Sequence, residues 1–202
     1  MYESHHKLFL LIFALATSLP GVFAQKAAIK SNLLYDATTS LNLGLEVGLG
    51  ERSTLDISGN INPWTFSGNR KMKHWLLQPE YRIWSCSRFS GTFWGFSTHL
   101  AQYNFGGMLP WGFHSGKMFG TIENRQILDN RYEGWLAGGG VSYGYHWIIG
   151  RRWGIEATIG AGYAYLRYDK FACGQCGEKR GNESKHYFGP TKAGLSLIYM
   201  IK

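Results

Sequence analysis

Successive side chains on a β-strand point to opposite faces, so apolar residues at every second position mark a strand with one greasy face. This chain repeats that pattern along most of its length. Leu41, Leu43, Leu45, Val47 and Leu49 share one face, and Asn42, Gly44, Glu46 and Gly48 the other. Leu55, Ile57, Gly59 and Ile61 oppose Thr54, Asp56, Ser58 and Asn60. Trp75, Leu77, Pro79, Tyr81 and Ile83 oppose Leu76, Gln78, Glu80 and Arg82. Longer runs occupy every second residue from Val141 to Ile149, from Trp153 to Tyr165 and from Ala193 to Ile201. Ile29, Leu33 and Tyr35, set against Lys30, Asn32 and Asp36, open the series. Residues 92–104 are the least regular, although Trp94, Phe96 and Leu100 share a face. The pattern predicts eight strands.

A soluble sandwich also alternates. Strand length argues for a membrane instead. Several runs reach ten residues, against about five or six in soluble sheets and about 9–11 for a tilted strand that spans a bilayer. The polar face agrees, being Gly, Ser, Thr and Asn with isolated charges, as a narrow barrel interior requires. Connections 50–53, 85–90 and 150–152 are short; between them come 36–40, 63–74, 106–134 and 170–186, three of them long. Short turns at one end and long loops at the other is the outer-membrane arrangement. The expected fold is all-β: an eight-stranded antiparallel transmembrane barrel of the bacterial outer membrane, with short periplasmic turns and longer extracellular loops.

The N-terminus reads as a secretory signal peptide. Lys7 precedes an apolar stretch, residues 8–19, which Pro20 and Gly21 end, and Val22-Phe23-Ala24 supplies a cleavage motif. Residues 1–24 would be removed, leaving one domain over residues 25–202. Loss of Lys7 and Glu3 keeps the net charge of +8. Basic residues gather at 70–73, 117–131 and 170–185. An exported chain meets little nucleic acid, so phosphorylated lipid headgroups such as lipopolysaccharide, or an acidic surface polymer, suit that charge better, and surface or fimbrial proteins are further candidate partners.

Charged residues also fall on the inward face: Lys30, Glu46, Asp56, Glu80, Arg82, Glu156 and Lys192. Charge buried in so narrow a space must be paired, which predicts an ion network plugging a polar lumen. No metal site, cofactor or catalytic constellation is expected. Ser97 and His99 share a strand face, but neither lies in a recognisable nucleophile motif; a barrel enzyme acting on envelope lipid or peptide is the alternative reading. Cys173 and Cys176 form a C-x-x-C in a Gly-rich loop, read as a small disulfide, with free thiols and a metal or redox pair as the other options. Cys86 sits on a short turn away from both. The long loop carries aromatic and basic residues, among them Trp111, Phe113, Lys117, Phe119, Arg125 and Arg131, read either as a candidate binding surface or as a lid over the barrel mouth.

Four blocks are distinctive: 30–38 (Lys-Ser-Asn-Leu-Leu-Tyr-Asp-Ala-Thr), 62–66 (Asn-Pro-Trp-Thr-Phe), 73–80 (Lys-His-Trp-Leu, then Gln78-Pro79-Glu80) and 102–104 (Gln-Tyr-Asn). Through them the chain resembles an uncharacterised family of Bacteroidota proteins over essentially its whole mature length. That resemblance implies a small outer-membrane barrel often encoded near fimbrial or surface-assembly genes, and it implies no activity. The expected function is non-enzymatic: a structural or interaction role in the cell envelope, through the extracellular loops.

Overall fold

The computed structural model describes residues 27–66, 70–106, 117–118, 122–123, 130–172 and 177–201. The expected leader, Trp111, Phe113, Phe119, Arg125, Cys173 and Cys176 lie outside the described residues. Strand β1 (Ala27–Asn32) leads into a single helical turn, α1 (Leu33–Asp36). There follow β2 (Leu41–Gly48), β3 (Ser53–Asn62), the two-residue β4 (Thr65–Phe66), β5 (Arg70–Trp84) and β6 (Gly91–Gly106). The short β7 (Lys117–Met118) and β8 (Ile122–Glu123) pair only with each other. Then come the longest strands, β9 (Asn130–Ile148), β10 (Trp153–Ala172) and β11 (Lys179–Met200).

The main sheet has nine strands in the order β3-β2-β1-β11-β10-β9-β6-β5-β4, all antiparallel, and pairing between β3 and β5 closes it into a ring. Eight strands make the circuit, and β4 hangs from β5 alone. Closure leaves no edge along the ring's base. The first and last strands of the described residues meet there, where Ile201 N donates to Ala27 O (2.7 Å).

The ring is greasy outside. Leu41, Leu43, Leu45, Ile57, Leu77, Trp94, Phe96, Tyr143, Trp147, Trp153, Ile159 and Tyr163 all stand exposed. A soluble protein buries such residues and exposes its charges; here Arg82 is 1% exposed and Ile159 68%.

Several expected boundaries move. The first strand stops at Asn32 instead of running to Tyr35. The Asn32 side chain accepts from Leu34 N (3.1 Å), capping α1, while Asn42 Oδ1 accepts from Asn32 N (2.6 Å). Residues 92–104, irregular as sequence, form the most strictly alternating strand, β6. Their pattern was obscured because Phe93, Ala101 and Tyr103 point inward although apolar. The stretches 63–74, 106–134 and 170–186, read as loops, are partly strand: β5 begins at Arg70, β9 at Asn130, and β10 and β11 continue as a hairpin to Ala172 and Lys179. High on these strands neither face is continuously apolar, so ladder hydrogen bonds persist where the hydrophobic period does not. Arg131 is accordingly a strand residue, its guanidinium 4.5 Å from the Phe171 ring centroid.

Candidate functional site

The interior is built in three layers. At the base, Ala28, Trp84, Phe89, Phe93 and Ile198 are buried together. Phe89 sits on the turn after β5 in the left-handed region (φ 61°), two residues before Gly91 (φ 77°), and this kinked turn tucks the ring beneath Trp84. Trp84 and Phe93 rings lie 4.8 Å apart, and Trp84 Nε1 donates to Thr54 Oγ1 (2.9 Å).

The charge cluster forms the middle layer. β5 projects Arg82 inward to the centre, where Nε reaches Glu80 (2.7 Å), Nη1 reaches Glu46 (3.0 Å) and Glu156 (2.9 Å), and Nη2 reaches Asp56 (2.9 Å). Lys30 pairs with Glu46 and lies 3.5 Å from Asp56 and 3.4 Å from Glu156. Lys192 holds Glu80 (2.9 Å). The structure thus brings together all seven inward charges named from the sequence, three cations facing four carboxylates. Hydroxyls complete the shell: Thr54 donates to Glu46, Ser142 to Glu80 (2.9 Å) and Thr158 to Glu156 (3.1 Å). Phe93 faces Arg82 from below, its ring centroid 4.3 Å from Cζ. Asp56 Oδ1 has no protein partner and borders a polar hole of about 40 Å³, room for a water molecule.

Glycine makes this density attainable. A Cβ on Gly95 would lie 2.3 Å from Ser142 Oγ and 2.6 Å from Glu80 Cδ. Gly95→Val is therefore expected to displace Glu80 and cost about 1–3 kcal/mol. Urea unfolding of the refolded protein measures it, with Gly59→Val, where nothing lies within 4 Å of a Cβ, as the neutral control. Equal midpoints for the two variants would contradict the packing described.

The upper layer corrects the expectation of a polar lumen. Above Lys192 the interior is a cavity of about 420 Å³, with walls that include Met72, Leu76, Ala101, Leu136, Ala164 and Leu166. Beside it Tyr103, Tyr132, Tyr168 and Tyr187 pack into an aromatic cluster. The change of character coincides with two irregularities. β11 bulges where its register against β10 slips between Gly160↔Lys192 and Ala161↔Pro190. On the far wall, the β5–β6 ladder skips from Leu77↔Leu100 to Glu80↔Ser97 around Pro79, which has no N–H to give. The sequence reading missed this chamber because its walls alternate one apolar residue with another, which gives no polar-face signal.

His99 lines the chamber and Ser97 does not. Gly138 leaves His99 its space, since a Cβ there would sit 2.6 Å from His99 Nε2. Among the described residues no serine hydroxyl is hydrogen-bonded to a histidine ring, and no three His, Cys, Asp or Glu side chains could hold a metal ion. His146, buried near the charge cluster, has no hydrogen-bond partner at Nδ1. Cys86 is exposed and free. Lys117 lies on β7, which pairs with β8 and not with the nine-stranded sheet. At the far end of the β10–β11 hairpin, Asp169 accepts from Lys179 Nζ (2.7 Å) and Asn182 Nδ2 (2.6 Å), which hold its carboxyl below the usual range.

The distinctive sequence blocks are the ring's corner fittings. Asn32 bonds α1 and β11, with Nδ2 to Ala193 O (3.2 Å) and Oδ1 from Leu195 N (3.2 Å). Asp36 accepts from Ser31 (2.8 Å) and Asn42 (2.8 Å). Asn62 Nδ2 donates to Ser40 Oγ (3.1 Å), and Trp64 Nε1 to the carbonyl of Thr39 (3.0 Å), a residue at φ 60°. Trp75 Nε1 donates to Gln102 (3.1 Å).

Fold and interior together define a closed antiparallel ring with a charged middle and an apolar upper chamber. The sequence profile of a family described as protein of unknown function (DUF3575) matches residues 8–201. The chain belongs to that family. Searches of curated proteins and of solved structures find no match.

Proposed function

We propose that the chain is an integral outer-membrane β-barrel, exported by a cleaved leader, that serves the cell envelope by binding and not by catalysis. The observation that carries this reading is the inversion of polarity: six charges buried inside, with Lys192 half-buried beside them, and large apolar side chains exposed around the exterior. Hydrocarbon demands that arrangement, because spanning strands must satisfy their backbone internally and hide their charges. On β10 the outward residues run from Trp153 to Tyr163 with Ile155, Ala157, Ile159 and Ala161 between. Ten steps of about 3.3 Å each, tilted about 45°, give a band about 23 Å tall, close to the roughly 25 Å apolar belt between aromatic girdles.

Above that band β9, β10 and β11 continue as a projecting sheet that carries Arg131, Lys170, Lys179 and Arg180 with Phe171. Such a surface suits the phosphates of outer-leaflet lipopolysaccharide. The membrane reading is tested by refolding the chain into phosphatidylcholine vesicles and comparing unboiled with boiled samples on a gel. The folded protein is expected to migrate faster unboiled, to stay with the vesicles through alkaline carbonate and to resist trypsin up to the projecting strands. A chain that folds as a monomer in plain buffer overturns it.

A further inference from the structure

The upper chamber has a chemistry that neither rigidity nor membrane insertion calls for. Its volume of about 420 Å³ falls within the roughly 300–1,000 Å³ of small-molecule sites. Apolar side chains make most of its wall, yet its floor is polar. Gln78 and Lys192 border both the chamber and the smaller hole in the charge cluster below, so they form the partition between layers. Gln78 and His99 both fall in the gap of the β5–β6 ladder, between Leu77↔Leu100 and Glu80↔Ser97, and both line the chamber.

Three buried polar atoms in this wall have no partner: Gln78 Nε2, His99 Nδ1 and Tyr103 Oη. Their residues are only 3%, 6% and 5% exposed. A buried polar group without a hydrogen bond costs about 1–3 kcal/mol, so three around one cavity mark a place where something supplies acceptors. All three can donate, His99 in the tautomer that protonates Nδ1. Lys192 adds positive charge, one of its protons being directed to Glu80. The complement is a compact anionic head on an apolar tail.

We propose that this chamber binds a single-chain carboxylate amphiphile of the fatty-acid type, with its carboxylate on Gln78, His99 and Lys192 and its alkyl chain along Met72, Leu136 and Leu166. The wall beside the chamber offers a passage. The β1–β11 ladder ends at Asn32↔Ser196. Beyond it, the Asn32 side chain bonds Ala193 O and Leu195 N of β11 and no ladder pair joins α1 to β11 among the described residues, so the seam can part without breaking backbone pairs. Leu34 and Tyr35 on one bank, and Tyr187, Pro190 and Thr191 on the other, all line the chamber. The alkyl chain enters there from surrounding lipid, so the inference rests on the membrane reading above.

The test uses the mature chain refolded without detergent into phosphatidylcholine vesicles, titrated with dodecanoic acid carrying ¹³C at the carboxyl. Saturable one-to-one binding is expected, with a bound ¹³C line distinct from acid merely dissolved in the bilayer. Ala164→Phe, which fills the chamber, should weaken binding at least tenfold; so should Gln78→Leu with His99→Leu, and so should replacing the acid by dodecanol. Each variant is first checked for the heat-sensitive gel shift of the folded form, and the head-contact variant carries the test if the filled one does not fold. Folded wild-type protein that shows only bilayer partitioning overturns the ligand and leaves the membrane reading standing. Equal binding of acid and alcohol overturns the carboxylate assignment. A wild-type chain that never enters vesicles overturns the membrane reading and this inference with it.

Discussion

Replacing Arg82 with methionine is expected to remove about 3–5 kcal/mol of stability, the cost of stripping one partner from a buried ionic group. That is a large share of the roughly 5–15 kcal/mol that holds a typical domain together. The size follows from how many carboxylates the guanidinium serves. It touches Glu46, Asp56, Glu80 and Glu156 at 2.7 to 3.0 Å. Without it Lys30 and Lys192 face all four. Lysine cannot substitute, because the four contacts use the planar fork of Nε, Nη1 and Nη2, where an ammonium is a single point. The midpoint of urea unfolding in vesicles, followed by tryptophan fluorescence, should drop accordingly, and the heat-sensitive gel shift should weaken or vanish. Adding Glu46→Gln and Glu156→Gln should restore much of the loss, since the fault lies in uncompensated charge and not in lost volume. A single variant as stable as wild type would show that the cluster does not hold the ring.

The second large effect lies outside. Ile159 is 68% exposed near the midpoint of the outward run from Trp153 to Tyr163. In water, an exposed isoleucine exchanged for arginine changes stability by about 0.5 kcal/mol or less. At the middle of a bilayer the same exchange costs about 2–4 kcal/mol. Ile159→Arg is expected to show the larger figure in vesicles. Phe188→Arg, 84% exposed on the residue that pairs with Tyr163, should cost about 0–1 kcal/mol at an interfacial depth. Equal, small effects at both positions would mean that no hydrocarbon surrounds the ring.

Particular elements show what a reading of residues can reach. β2, β3 and the lower parts of β5 and β10 were legible because one face is apolar and the other is not. Inward charges were legible for the same reason, and they meet as one cluster. Legibility ended wherever both faces carry similar residues. On β6, inward Phe93, Ala101 and Tyr103 match outward Trp94, Phe96 and Leu100 in polarity, so the strand looked irregular and the chamber beside it left no trace. High on β10 and β11 the faces are both polar, and a strand hairpin read as a loop. Asn32 ended β1 early through side-chain bonds to Leu34 and β11, a local competition that periodicity does not encode. Pro190 and Thr191, at the bulge where the interior changes character, gave no sign of it either.

The packed base has a directional consequence. Trp84, Phe89 and Phe93 stopper one end beneath the ions, so the molecule has the topology of a cup and not of a tube. On the proposed membrane placement, passage of a guest to the opposite compartment would require the ionic and aromatic tiers to come apart together.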